Sequence, residues 1–405
     1  DAALATAPRR ITGQIDMGGQ EHFYLEGQAA LALPQEGGVM VVQSFTQHPP
    51  EIKHQVADAL CLPMHDVRCQ VRRMGGGFGG KESQGNALAV ACAVAARLTG
   101  RPCKMRYDRD DDIMITGKRH DFRITYDVGV DSDGRLLGVD FVQMTRCGWA
   151  MDLSLPVAHR AMLHADNAYH LPAARITSHR LKTNTQSATA FRGFGGPQGV
   201  LGIERVMDHV AAELGLDPVV VRQRNFYAPM AEDEAAPGAH GGLSAHHGAA
   251  HLPPEDISAR TMEAQTTPYH MPVTDFILHG LAQRLLETSA YHARRAAIAR
   301  WNEGQPVLRR GIAFSPVKFG ISFTLSHLNQ AGALVHVYQD GSVHMNHGGT
   351  EMGQGLFQKV AQVAASRFGI DVAAVKITAT DTGKVPNTSA TAASSGSDLN
   401  GMAVR

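Results

Sequence analysis

The sequence has too few cysteines, too widely scattered, for a disulfide framework or a metal knuckle. Five are present (Cys61, Cys69, Cys92, Cys103 and Cys147), an odd count with no C-x-x-C spacing. That argues against a zinc site or an iron–sulfur cluster built from this stretch of chain, and fits a reducing, cytoplasmic setting. Net charge is also missing. Lys plus Arg number 38 and Asp plus Glu number 38, so nothing in the balance favours nucleic acid or an acidic membrane surface as a partner. No apolar run reaches the roughly 18 residues of a membrane span. The first residues, DAALATAPRRITG, lack the apolar core of a signal peptide; they also lack an initiating Met, as expected of a processed or trimmed end.

What the chain holds in excess is glycine, 42 of 405 residues, and the excess is clustered. RRMGGGFGGKES (72–83) lies between a strand-like run, VRCQVRR (67–73), and a helix-like run, NALAVACAVAARL (86–98). AFRGFGGPQG (190–199) precedes the apolar-periodic VLGIERVMDHVAAEL (200–214). HGGTEMGQG (347–355) precedes LFQKVAQVAASRF (356–368). A glycine loop therefore feeds a helix three times.

The remaining pattern is mixed. Residues 38–46 read as a strand and 51–61 as an amphipathic helix. Residues 121–144 read as two strands around Asp133-Gly134, and 311–346 as β with a second hairpin at Asp340-Gly341. Residues 274–302 read as one helix rich in Leu, Ala and Arg. Between 231 and 256 large apolar residues nearly vanish. There His240, His246, His247 and His251 belong either to a solvated loop or, less simply, to a metal site. The expected architecture is α+β: a first domain over 1–230, an insertion over 231–265, and the N-terminal part of a second, incomplete domain over 266–405.

Two phosphate signatures fit the opening loop formally. Gly75-x4-Gly80-Lys81 matches a P-loop until Glu82 takes the place of the Mg²⁺-binding Ser or Thr, and Gly75-x-Gly77-x-x-Gly80 matches a dinucleotide fingerprint without the βαβ series around it. What the loops share is backbone N–H groups ahead of helices, glycines that admit a planar ring, and uncharged amides at Gln20, Gln198 and Gln354. Glu82 is either a first-turn acid on a helix dipole or a ligand group. Arg160, in LPVAHRAMLHADN, is either a structural ion-pair partner or a functional cation. Phe194 and Phe323 are either loop plugs or rings stacked on a flat ligand. The small-residue stretch near 387–401 is either a mobile tail or backbone laid against a ligand.

Taken together, GGQEHFYLE, RMGGGFGGKE, AFRGFGGPQ, KFGISFT, NQAGALVHVY and HGGTEMGQG resemble the molybdenum-binding part of the xanthine oxidase/molybdenum hydroxylase family. The resemblance runs from about residue 10 to the end, broken only at the insertion. It implies two molybdopterin-binding domains of mixed sheets and helices, and a molybdopterin whose molybdenum has no direct protein ligand. It implies that Gln20 contacts the metal's oxo group, and that Gly77, Phe78 and Gly79 lie beside metal and pterin. Arg192, Gly353, Gln354, Thr391, Ala393 and Ser394 would hold the pterin and its phosphate. Glu82 and Arg160 would face the substrate, Phe194 and Phe323 would sandwich it, and Thr324 would bond its carbonyl. Gln20, Glu82 and Arg160 are thus the catalytic candidates.

Family members that oxidise purines carry a glutamate and an arginine at these two places. The implied reaction is hydroxylation of hypoxanthine and xanthine. Electrons would pass through 2Fe-2S clusters and FAD, on a partner chain or on further sequence, to NAD. The implied assembly is a hetero-oligomer, a dimer of heterodimers. The family's base glutamate lies in a motif resembling GEPP, which these 405 residues do not contain. Glu351 is not a substitute for it. An aldehyde or other N-heterocycle hydroxylase, and more remotely a nucleotide-binding or non-catalytic module, are the competing readings. Glu82 and Arg160 argue against the first, and Glu82 in the Ser/Thr position against an ATPase.

Overall fold

The computed structural model describes residues 1–228, 265–321 and 323–405. The histidines of the 231–265 insertion lie outside the described residues.

After a single turn, α1 (Ala2–Ala5), the chain lays down β1 (Arg9–Met17) and leaves to build a second sheet before returning. That second sheet begins with β2 (Ala29–Pro34), β3 (Met40–Ser44), β4 (Val67–Val71) and β5 (Cys103–Arg106). Helices α2 (Pro49–Leu60) and α3 (Asn86–Thr99) cover it, burying Ile52, Val56, Leu88, Ala89 and Ala93 against Ala32, Val42, Val67 and Cys69. Alanine predominates on the buried face of α3, which lets the helix approach the strands closely. The short α4 (Arg109–Ile115), capped by the Asp108 carboxylate at 2.8 Å, turns the chain back.

The chain then completes the first sheet with β6 (Phe122–Val130), β7 (Leu136–Gly148) and β8 (Ala174–Lys182), in the order β1-β6-β7-β8. Helices α5 (Ser154–Leu163) and α6 (Gly196–Leu214) share a core with it, and α7 (Pro218–Asn225) follows. The close crossing of α5 and α6 explains the glycines of FGGPQG. A Cβ on Gly195 would lie 2.0 Å from the Val157 carbonyl oxygen, and one on Gly199 2.2 Å from that of Ala161.

The later part contains α8 (Leu278–Thr288) and α9 (Tyr291–Glu303), then β9 (Ala333–Val337), β10 (Val343–His347), α10 (Leu356–Phe368), β11 (Val375–Ile377), β12 (Thr380–Asp381) and α11 (Gly396–Val404). The expected single helix over 274–302 is two. The chain breaks at Ala290, whose φ is +50°, and the new helix starts at Tyr291, whose hydroxyl reaches Asp217 at 3.1 Å. The expected β run over 311–346 is strand only at β9 and β10. Residues 316–320 form no strand and are held by side chains rather than by a ladder, as described below. The two halves also interlock. β12 adds an edge strand to the sheet of the first half, pairing Thr380 with Val71, and Asp381 accepts from Arg68 and Gln70.

Candidate cofactor site

Four segments distant in sequence meet at the opening glycine loop. The Phe78 carbonyl accepts from the Arg192 amide at 2.8 Å, joining the first loop to the second. The Met74 amide donates to the Glu351 carbonyl at 2.9 Å, joining it to the third. The Thr391 hydroxyl accepts from the Thr350 amide at 2.8 Å, adding the small-residue segment. Arg119 ties in the Gln20 turn: its amide donates to the Gln20 carbonyl at 3.0 Å and its guanidinium to the Arg192 carbonyl at 3.0 Å.

At the centre of this convergence is a residue the sequence reading passed over. Gln47 is buried, and its side-chain oxygen accepts from the amides of Gly79 at 2.9 Å and Lys81 at 3.3 Å. Its side-chain nitrogen donates to the Thr391 carbonyl at 3.1 Å, while its backbone exchanges bonds with Lys81 and Thr391, each at 2.8 Å. One amide therefore staples the glycine loop to a segment more than 300 residues later. Gln20, the amide expected at the metal, is exposed, and only its carbonyl is engaged. It follows Gly18 and Gly19, and the amide that bonds the glycine loop itself is that of Gln47. The FTQHPP context of Gln47 has no glycine beside it, which left no local signal.

The loop is packed too closely against its neighbours to carry side chains at two of its glycines. A Cβ on Gly79, where φ is +96°, would lie 2.8 Å from the Ala190 backbone. One on Gly77 would lie 2.6 Å from the Gln47 oxygen. Phe78, Phe194, Ala393 and Ser394, four of the ten non-glycine residues with left-handed backbone among those described, fall in these converging segments. Phe78 presents a ring that is 43% exposed. Beside the third loop a cavity of about 520 Å³ is lined by Arg73, Met74, Glu351, Gly353, Gly355 and Phe357. Gly353 and Gln354 are exposed, and the Gln354 amide donates back to the Thr350 carbonyl at 2.9 Å. Among the described residues no group of three or more His, Cys, Asp or Glu could hold a metal ion. A metal would be carried by an organic cofactor, which the glycine cradle and the buried amide fit.

Glu351 is occupied. Its carboxylate accepts from the amides of Gly353, Gly355 and Phe357 at 2.8–3.0 Å, closing the loop and capping α10. Glu82 is the opposite case. Of its two readings, the first-turn acid is excluded, because α3 begins only at Asn86. Burial, with a further contribution from Asp152, pushes its carboxyl up to about 8. It is 6% exposed and no hydrogen bond or ion pair engages its carboxyl among the described residues.

Arg160 is buried on α5 and donates to the Gly320 carbonyl at 2.6 Å. It belongs to a clasp over 316–320 made by α5 and the turn that follows it. His164 donates from Nδ1 to the Arg160 carbonyl at 2.8 Å and accepts from the Gly320 amide at 3.0 Å. Asn167 bonds Pro316 and Lys318, and Asp166 pairs with Lys318. Here Phe319, not Phe323, lies against the arginine, its ring centre 5.4 Å from the guanidinium carbon. Among the described residues no ring contact joins Phe323 to Phe194. Phe323 is half-buried, its amide held by Asn329 at 2.9 Å, and Thr324 is exposed.

The clasp has a pH consequence. Burial pulls His120, His164 and His347 down to about 4 from the usual 6.5. The unfolded chain then binds more protons than the folded one between those limits. Stability is full above pH 6.5 and falls towards pH 4, by about 3 kcal/mol per histidine. Thermal melting should drop steeply across that window, and His164→Phe should flatten the drop.

Comparison with known proteins agrees with this geometry. The molybdopterin cofactor-binding domain profile matches residues 1–226, and a second profile of the same description matches 284–405. The chain belongs to the molybdopterin cofactor-binding family. It is 44% identical over 402 residues to a xanthine dehydrogenase of Drosophila subobscura, and 43% identical over 397 residues to xanthine dehydrogenase 1 of Arabidopsis thaliana. These matches cover 99% and 98% of this chain but 27% of each relative's length. In fold it is similar to an aldehyde oxidoreductase from Desulfovibrio desulfuricans, with a TM-score of 0.80 at 22% identity, covering 99% of this chain and 40% of that one. The two matched profiles correspond to the two interlocked halves. Among the described residues no helix is long and apolar enough to cross a membrane.

Proposed function

We propose that this chain is the molybdenum-binding part of a purine hydroxylase of the xanthine dehydrogenase type. The observation that carries the reading is Glu82. Among the described residues it is a buried carboxyl without a hydrogen-bond partner, on the loop that holds Arg192, while Arg160 is buried on the helix that packs against the Phe194–Gly199 turn. A purine edge offers N–H and C=O groups to such a pair; an aldehyde needs neither.

Bound molybdopterin would supply an oxygen for the carbon to be hydroxylated and accept two electrons. Gln20, Gln47, Gly77, Phe78, Gly79, Arg192, Gly353, Gln354, Thr391, Ala393 and Ser394 would hold it, Gln20 reaching its oxo group and Gln47 bracing the glycine loop behind it. Held up to about 8, the Glu82 carboxyl is mostly protonated at pH 7, so it can donate one hydrogen bond and accept another. Arg160 remains a cation and stabilises negative charge that builds on the heterocycle in the transition state. Phe194 and Phe323 would bound the plane of the ring, with Thr324 bonding its carbonyl. Electrons would leave to 2Fe-2S clusters, FAD and NAD carried by further sequence or a partner subunit, in a cytoplasmic hetero-oligomer. The test is turnover by the holoenzyme. Hypoxanthine and xanthine should be oxidised with kcat/KM well above that for benzaldehyde; the reverse order would refute the purine assignment.

A further inference from the structure

Lys81 follows the glycine loop where a phosphate-binding lysine would sit, yet its side chain is 0% exposed. The ammonium lies 4.7 Å from the centre of the Tyr24 ring and 5.7 Å from that of Phe45, with the Glu26 carboxylate 3.9 Å away and no hydrogen-bond partner. The box around it is fixed. Tyr24 donates to Asp112 at 2.6 Å and accepts from Gln28 at 3.0 Å, and Gln28 also donates to the Gly80 carbonyl at 2.8 Å. Glu26 accepts from the Gly75 amide at 2.8 Å. Both ends of the loop are thereby tied to one buried cation: Gly75 through Glu26, and Lys81 itself through the backbone that Gln47 grips.

We propose that Lys81 is a positioning residue for the cofactor: its buried charge holds the Gly75–Glu82 backbone in the shape that keeps Gln47 against the loop and Glu82 in the site. This rests on the cofactor assignment and not on the purine reading. A charge in such a box is costly. Burial pulls the ammonium down to about 8 from 10.5, against the opposing charges of Glu26 and Asp112 and reinforced by Arg109. The folded state thus holds the proton less tightly than the unfolded chain. The penalty is fully present below pH 8 and vanishes above pH 10.5, so a neutral side chain of the same length should fold at least as well. A lysine retained there for the fold alone would show the opposite.

The experiment compares wild-type holoenzyme with Lys81→Met and Glu26→Gln, following molybdopterin release by pterin fluorescence at pH 7 and pH 9 and melting of the cofactor-free forms. Lys81→Met should melt no lower than wild type, yet release cofactor about tenfold faster at pH 7. Its release should hardly change with pH, whereas wild-type release quickens between pH 7 and 9 as the ammonium is lost. Glu26→Gln should move release in the same direction by less. Wild-type release rates in Lys81→Met, or a lower melting temperature with pH-dependent release retained, would overturn the proposal. Because release is read without turnover, an enzyme that prefers aldehydes leaves the test intact.

Discussion

Gln47→Ala should strip the holoenzyme of most of its molybdenum, while Gln20→Ala should leave the content near wild type. The alanine at 47 removes the acceptor of the Gly79 and Lys81 amides and the donor to the Thr391 carbonyl. Each buried donor left unpaired costs about 1–3 kcal/mol. Two such losses, at the point where the loop meets the 391–395 segment, weaken a cofactor site by well over tenfold. Gln20 has no comparable role, since it is exposed and its carbonyl contact to Arg119 does not depend on the side chain. Metal analysis of the two purified variants reads the difference directly. Equal retention by both would mean that the staple is dispensable; loss in Gln20→Ala alone would place the hold on the cofactor at Gln20 instead.

Arg160→Met should depress purine kcat/KM by about 10²- to 10³-fold and leave an aldehyde within a few-fold of wild type. The guanidinium is needed only where negative charge spreads over a heterocycle, and methionine keeps most of the volume on α5. Glu82→Val should act in the same direction by less. The carboxyl adds a pH signature: with its acid form present below about 8, purine kcat/KM should decline as pH rises through that value. Glu82→Gln keeps a hydrogen-bond donor that does not titrate and should remove the decline. A matched loss on purine and aldehyde in Arg160→Met would assign the arginine to the clasp over 316–320 alone.

Much of this arrangement could be read from sequence because it is written locally. The strand–loop–helix at 67–98 shows in the switch from alternation to helical periodicity across its glycines. Both Asp-Gly hairpins appear where read, with Gly134 and Gly341 at φ near +80°. The misses share a cause. The break at Ala290 has no glycine or proline to announce it and is stabilised by Tyr291 reaching Asp217 across the fold. The 316–320 stretch has a strand's pattern but spends its backbone groups on Arg160, His164 and Asn167. Glu82 looked like a helix-dipole acid because only the fold places the start of α3 at Asn86. Gln47 acts through partners 32 and 344 positions away, a separation that no local motif encodes.

The most direct test of the account is an anomalous difference map at the molybdenum absorption edge from crystals of the complete holoenzyme. One strong peak per chain beside Gly77–Gly79, within reach of the Gln47 amide and open towards Glu82, is the predicted result. A molybdenum peak away from this loop, or none in protein from cells that make the cofactor, would contradict it.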